Sequence, residues 1–380
     1  MIWLVVGSVL PAAVVAWACG FVVRWIGPRW GWVDRPGPRK VHDQPVPTGG
    51  GVAIWLGVVA PLAAGHALLW GLTGMAPEAA SGWLPAWVLP HVPGLLHQAG
   101  RMWGVLAGGT ALVLLGLVDD RRGLDWRLRL AVQTAVAVAM VAWGYRLTAF
   151  VHWPILTAVL SVLWIVGLTN SFNMLDNMDG LSAGLGAICS GLLAAVVLVA
   201  PSPATHQPQL FIGGFLLVLL GSLAGFLWHN RPPARLFMGD AGAYWIGYLL
   251  AVVTLAATFA GYEAPHRILA PLCVLAVPIY DTATVVFIRL RQGRSPFVGD
   301  KSHFSHRLVE LGMTPPQAVL TIYLATATCG LGALVLHQVD YTGAAIVLLV
   351  VVCVLVLVGI LETVGRRARN SDKGPGHGTP

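Results

Sequence analysis

The chain has 380 residues, a formal net charge of +7, 57% hydrophobic residues and only 10% charged ones, with a mean hydropathy of +0.75. Soluble domains carry about 25% charged residues, so a water-soluble globular protein is excluded. The positive surplus does not imply a nucleic-acid partner, because the placement of the charges matters more than their sum.

A spanning helix needs about 20 mostly apolar residues. Eleven stretches qualify: 2–23, 51–71, 102–118, 128–144, 151–168, 181–200, 210–228, 241–261, 268–288, 317–337 and 343–364. The fold class expected is therefore an all-α integral membrane protein of about 11 transmembrane helices. The weakest stretch is 128–144, short and opened by Arg129. The first lacks a basic leader and reads as a retained helix, not a cleaved signal. The five cysteines all fall in apolar stretches with no C-x-x-C pair, which argues against a disulfide framework or a zinc site. Of the 23 lysines and arginines, all but Arg101, Arg146 and Arg267 fall in alternate connections and the tail. The positive-inside rule places those connections in the cytoplasm and the N-terminus outside. Residues 1–364 are expected to form one polytopic domain, and 365–380 a disordered basic cytoplasmic tail. The long outer connection 72–101, with Trp83 and Trp87, reads as an interfacial segment.

Five stretches at the basic ends carry chemistry. The first, Arg39–Gly51, reads RKVHDQPVPTGGG. Lys40 and His42 can neutralise phosphate, and three glycines allow close backbone approach to a ligand. A basic juxtamembrane turn explains it equally well. In the second, Gly116–Gln133, Asp119 and Asp120 end a spanning helix, where the helix dipole disfavours carboxylates. A metal ion, Arg121, Arg122 or Arg129 must compensate.

The third is Asn170–Leu181, NSFNMLDNMDGL, which places Asn170, Asn173, Asp176, Asn177 and Asp179 between two apolar stretches. A helix cap accounts for one or two of these; carboxylates at membrane depth are otherwise functional by default. The fourth, Gly225–Gly242, sets Asp240 between Gly239 and Ala241 with Gly242 next, leaving room for an anion or hydrated ion unless Asp240 is a plain N-cap. The fifth, Pro278–Leu308, buries Asp281 in an apolar stretch and then presents Asp300, Lys301, His303, His306 and Arg307. Asp281 needs a partner or a polar cavity. Two imidazoles at i, i+3 beside cations suit a diphosphate or general acid–base work. Carboxylates that gather Mg²⁺ and bases that gather phosphate, all on one membrane face, point to phosphoryl transfer.

These stretches, from about residue 39 to 308, resemble the polyprenyl-phosphate N-acetylhexosamine-1-phosphate transferases, the WecA/TagO-like branch of glycosyltransferase family 4, related more distantly to MraY. The resemblance rests on P-V-P-x-G-G, the Asp-Asp pair with a downstream cation and Gln133, N-x-x-N-x-x-D-x-x-D-G-L, P-A-R-x-F-M-G-D-x-G, V-P-I-x-D-T, and D-K-S-H followed by H-R-L. It implies that a polyprenyl (undecaprenyl) phosphate attacks the β-phosphorus of a UDP-N-acetylhexosamine, most simply UDP-GlcNAc, and releases UMP. The implied cofactor is Mg²⁺, with Mn²⁺ as the alternative. The implied place is the bacterial cytoplasmic membrane, with the site facing the cytoplasm and a glycan of the cell envelope as the product's destination.

By position, the resemblance makes Asp119, Asp120 and Asp240 the catalytic residues. It makes Asp240, Asp120 and Asp176 the metal ligands. Lys40, His42, Arg129, Asn170, Asn173, Asp176, Asp179, His303, His306 and Arg307 become substrate contacts. Three positions depart from the family's pattern: Ser305 stands where a third His is usual, Ala243 replaces a common Ser, and Asn177-Met178 replaces a common Gly-Leu pair. Readings kept open are a non-catalytic polyprenyl-phosphate binding or flipping protein on the same fold, an MraY-type phospho-MurNAc-pentapeptide transferase, a transporter, and a homodimer as the assembly.

Overall fold

The computed structural model describes residues 1–34, 45–73, 88–147, 153–200, 202, 206–259, 261, 264–296 and 303–372. Lys40, His42, Asp300 and Lys301 lie outside the described residues. The architecture is helical, with one two-residue antiparallel pairing of β1 (Val33–Asp34) and β2 (Val46–Pro47) among the described residues. The helices are α1 (Ile2–Ile26), α2 (Gly50–Leu72), α3 (Val92–Arg122), α4 (Trp126–Ala142), α5 (Pro154–Leu175), α6 (Leu181–Val199), α7 (Leu210–Asn230) and α8 (Gly239–Ala256). They continue with α9 (Ala270–Val274), α10 (Ala276–Arg291), α11 (Phe304–Glu310), α12 (Pro315–Val335) and α13 (Tyr341–Asp372).

Nine helices among the described residues are long and apolar enough to cross a membrane. The pair Pro265–Val274 and Ala276–Arg291, bent by 68° at its break, passes the same test together, as a broken span or a re-entrant loop. The remaining expected stretch, 128–144, forms α4, a helix of only 17 residues. Hydropathy thus located every long apolar helix, but not the seven-residue α11, which falls in none of the expected stretches. Several boundaries move: α5 runs to Leu175, past its expected end at 168, and α8 stops at Ala256, short of 261. Helix α3 starts at Val92, so part of the expected interfacial connection is helical. Helix α13 runs to Asp372, past the point where the polar tail was expected to begin. A membrane satisfies no backbone N–H or C=O, which is why each span closes its own hydrogen bonds as helix.

Helix α8 is the centre of the bundle. Tyr244, Trp245 and Tyr248 are among the largest fully buried side chains, and α2, α3, α5 and α6 all pack against this helix. Lipid tails offer no hydrophobic drive between helices, so close backbone approach through small residues does the work. A Cβ on Gly116 of α3 would lie 2.3 Å from the Ala241 Cα, and one on Gly51 of α2 would lie 2.3 Å from the Gly242 nitrogen. Backbone meets backbone at both crossings, directly beside Asp240. Helices α1 and α7 cross in the same way, with a Cβ on Gly225 meeting the Ala13 carbonyl oxygen at 2.1 Å.

The two ends of the bundle differ. At one, contacts are bland: Tyr145 donates to the Arg101 carbonyl, and Gln209 to that of Thr258. At the other, described residues near the ends of α3, α5 and α7 and at the start of α11 meet: Phe237 donates to the Pro47 carbonyl, the Asp240 N–H to Asp120, and Ser305 to Asn177.

Candidate active site at one end of the bundle

The site is built from the C-terminal turn of α3, the first turns of α4, the α5–α6 junction and the start of α8. Asp119 is buried, and both its oxygens are engaged. Its Oδ1 accepts the Leu124 N–H at 2.7 Å and its Oδ2 accepts Arg129 Nη1 at 2.8 Å. The Tyr244 hydroxyl adds a third donor at 3.2 Å. Arg129 is therefore the cation that the helix dipole argument required, and it also lies 3.8 Å from Asp240 Oδ2. Tyr244 gave no sequence signal; an aromatic inside an apolar helix looks like packing.

Asp120 is placed differently. Its Oδ1 accepts the Asp240 N–H at 2.9 Å, while its Oδ2 is buried without a hydrogen-bond partner. Gly239, at φ +70°, makes this approach possible: a Cβ there would meet Asp120 Oδ2 at 2.4 Å. The room expected around Asp240 for a ligand is thus taken, on these faces, by the Asp120 carboxylate and by Gly51 and Met238 against Gly242.

Asp240 is not the N-cap of α8, which is Met238. Its Oδ1 accepts from Asn173 Nδ2 at 2.6 Å. One turn back on α5, Asn170 donates to Gln133 Oε1 at 2.6 Å. Gln133 is itself buried, with Nε2 unpartnered. The asparagines at i, i+3 therefore do share a face, and that face meets α4 and α8.

The rest of the junction divides by role. Asp179 Oδ2 accepts the Ala234 N–H at 2.9 Å, and Asn230 brackets the same turn by accepting from Gly180 N and donating to the Leu236 carbonyl. Both order the connection that delivers Asp240. Tyr323 of α12 donates to the Gly180 carbonyl. Asp176, just past the end of α5, has its carboxyl pushed up to about 7 by desolvation, with the nearby Asp120 and Asp179 charges adding to the shift.

Two of the three glycines of TGGG, Gly50 and Gly51, spend their N–H groups on the protein's own backbone. Gly50 and Gly51 donate to the Phe237 and Met238 carbonyls at 2.9 Å, and Phe237 donates to Pro47. The motif clamps the segment that leads into Asp240.

Asp281, whose partner the sequence left open, is fully buried and accepts from the Phe304 N–H at 2.6 Å and from His303 Nδ1 at 3.0 Å. It fixes the His303 ring and the start of α11 together. The His303 and His306 rings lie 6.5 Å apart. Arg307 is buried and donates to Thr284 Oγ1 at 3.2 Å. Ser305 donates to Asn177 Oδ1 at 2.5 Å, which joins the His segment to the carboxylate junction.

A divalent metal fits the donor chemistry of this cluster. The candidate ligands offer hard oxygen only, several carboxylates crowd together, and one Asp120 oxygen is buried without a partner. Among the described residues, no three His, Cys, Asp or Glu side chains form a ready-made cage. Mg²⁺ tolerates that, since it commonly takes one or two carboxylates and completes its shell with water and substrate phosphates.

Comparison with known proteins places the chain in a family. The family model described as glycosyl transferase family 4 matches residues 102–258, the stretch that carries Asp119 through Asp240. A probable undecaprenyl-phosphate N-acetylglucosaminyl 1-phosphate transferase of Bacillus subtilis is 32% identical over 83% of this chain and 80% of its own length. The chain belongs to glycosyl transferase family 4. Within that family it is also similar to a decaprenyl-phosphate N-acetylglucosaminephosphotransferase of Mycolicibacterium smegmatis, at 32% identity over 94% of this chain and 88% of the relative. An undecaprenyl-phosphate alpha-N-acetylglucosaminyl 1-phosphate transferase of Yersinia pestis is 28% identical over 81% and 77%. The family match ends before His303, so the His segment of this family 4 chain rests on its own geometry.

Proposed function

We propose that this chain transfers GlcNAc-1-phosphate from UDP-GlcNAc to a polyprenyl phosphate at the cytoplasmic face of a bacterial inner membrane, with Mg²⁺ as cofactor. The activities for which the Bacillus, Mycolicibacterium and Yersinia relatives are named support the reaction. The observation that carries it is the meeting of Asp119, Asp120, Arg129, Asn173 and Asp240, from four helices, at the end of the bundle to which the basic connections belong.

In the reaction, a lipid phosphate oxygen bonds to the β-phosphorus of the nucleotide sugar, the α–β anhydride bond breaks, and UMP leaves. A phosphate monoester has a second pKa of about 6, so near pH 7 the attacking oxygen needs little help to lose a proton. That suits the geometry of Asp119, whose two oxygens are engaged: it orients Arg129 and leaves Arg129 to meet the lipid phosphate. The same engagement speaks against an aspartyl-phosphate on Asp119. Asp120 and Asp240, with Asp176 beside them, would hold Mg²⁺, which when bound neutralises charge on the phosphates. Asn173 fixes the Asp240 carboxylate, and Asn170 fixes Gln133 beside it. His303, His306 and Arg307 supply donors for the nucleotide's diphosphate, and Lys40 and His42 add positive charge from outside the described residues.

The test is incubation of the purified full-length protein with radiolabelled UDP-GlcNAc, undecaprenyl phosphate and Mg²⁺. Label should pass into the lipid phase with release of UMP. Lipid binding without UMP release would overturn the reading in favour of a non-catalytic lipid-phosphate binder.

A further inference from the structure

We propose that Ser305 and Asn177 form a positioning pair that holds the His segment against the carboxylate junction. The proposal rests on the transferase reading above and adds to it a device that sets the spacing between the two halves of the site. Helix α11 is only seven residues long, carries His306 and Arg307, and has His303 as its N-cap. On one side it is tied to α10: Asp281 accepts from Phe304 N and His303 Nδ1, and Arg307 donates to Thr284. Those bonds fix α11 to its own neighbour in sequence and do nothing to set its distance from Asp176 and Asp179.

Ser305 does that. It is 1% exposed, and its hydroxyl donates to Asn177 Oδ1 across 128 residues of chain. The acceptor is itself held, because Asn177 Nδ2 donates to the Met174 carbonyl at 2.9 Å. Met174 belongs to the last turn of α5, one residue after Asn173, which holds Asp240. A line of fixed groups therefore runs from the imidazoles through Ser305 and Asn177 to the helix end that positions Asp240. Neither member needs to touch substrate.

The experiment compares Ser305→Ala, Asn177→Ala and the double variant in the full-length protein, in two ways. In the transfer assay each single variant should raise KM for the nucleotide sugar roughly three- to tenfold, the scale of one hydrogen bond's net contribution. KM for the polyprenyl phosphate should stay unchanged. The double variant should be no worse than the weaker single, since both remove the same bond. Independently of activity, amide hydrogen exchange over residues 303–310 and 174–181 should rise in both singles.

Strictly additive losses, or wild-type exchange in both segments, would overturn the pair. Should Ser305→Ala not fold, Asn177→Ala removes the acceptor from the other element, and unchanged exchange over 303–310 in that variant overturns the pair by itself. If the wild type transfers no sugar phosphate, the transferase reading fails while the exchange comparison still decides the pair.

Discussion

Asp119 and Asp120 are neighbours in sequence with opposite duties. Asp119 satisfies Arg129, Leu124 and Tyr244; Asp120 keeps one buried oxygen without a partner beside the Asp240 backbone. Asp240→Asn should lower turnover about 10²-fold or more, the order seen when a group aimed at developing charge is lost, with circular dichroism unchanged; near-normal turnover would refute its role. Tyr244→Phe removes one of three donors to a carboxylate, which is worth about 1.5 kcal/mol, so turnover should fall roughly tenfold and Arg129→Ala should fall further. Asp176 gives a pH signature. Its folded carboxyl titrates near 7 against an ordinary value of 3.8, so the folded state binds the extra proton between those values and stability declines as pH rises through that window. In chelator-treated protein the transition temperature should therefore rise from pH 7.5 to pH 5.5, and Asp176→Asn should flatten that slope; an equal slope in both proteins would contradict the shift.

At the scale of the element, glycine decides how α2, α3 and α8 cross. Gly51 and Gly116 put backbone against backbone beside Asp240, with no space for a methyl group. Overpacking of this kind costs about 1–3 kcal/mol. Gly116→Ala should lower both the transition temperature and turnover, because the Asp120–Asp240 spacing moves with the helix. Gly65→Ala, where nothing lies within 4 Å of the added Cβ, is the control and should change neither. A Gly116→Ala protein with wild-type turnover would show that this crossing does not set the site. The long helices were legible here from hydropathy alone, down to α4, whereas the seven-residue α11 was not. Helix ends were less so: α3 begins earlier than its apolar stretch and α13 ends later, because a helix continues into water where hydropathy no longer marks it.

For the whole molecule, the distribution of lysine and arginine over the connections predicts a sidedness that a thiol probe can read. In a protein stripped of its native cysteines, single cysteines at Gly123 and Gly312 should react from the cytoplasmic side, and ones at Gly144 and His206 from the outside. Labelling of Gly123 and Gly312 from opposite sides would break the single site apart. Composition and motif spacing by themselves determined the class of protein, the long helices, the family it resembles and the polar clusters that bear its chemistry, because hydropathy and motif are local properties written residue by residue. Only the tertiary structure decided that Asp281 answers His303, that Asp179 orders a connection, that Gly50 and Gly51 serve a backbone clamp, and that Ser305 finds Asn177. Those pairings join groups far apart in sequence, and which oxygen meets which donor depends on how closely rigid helices pack.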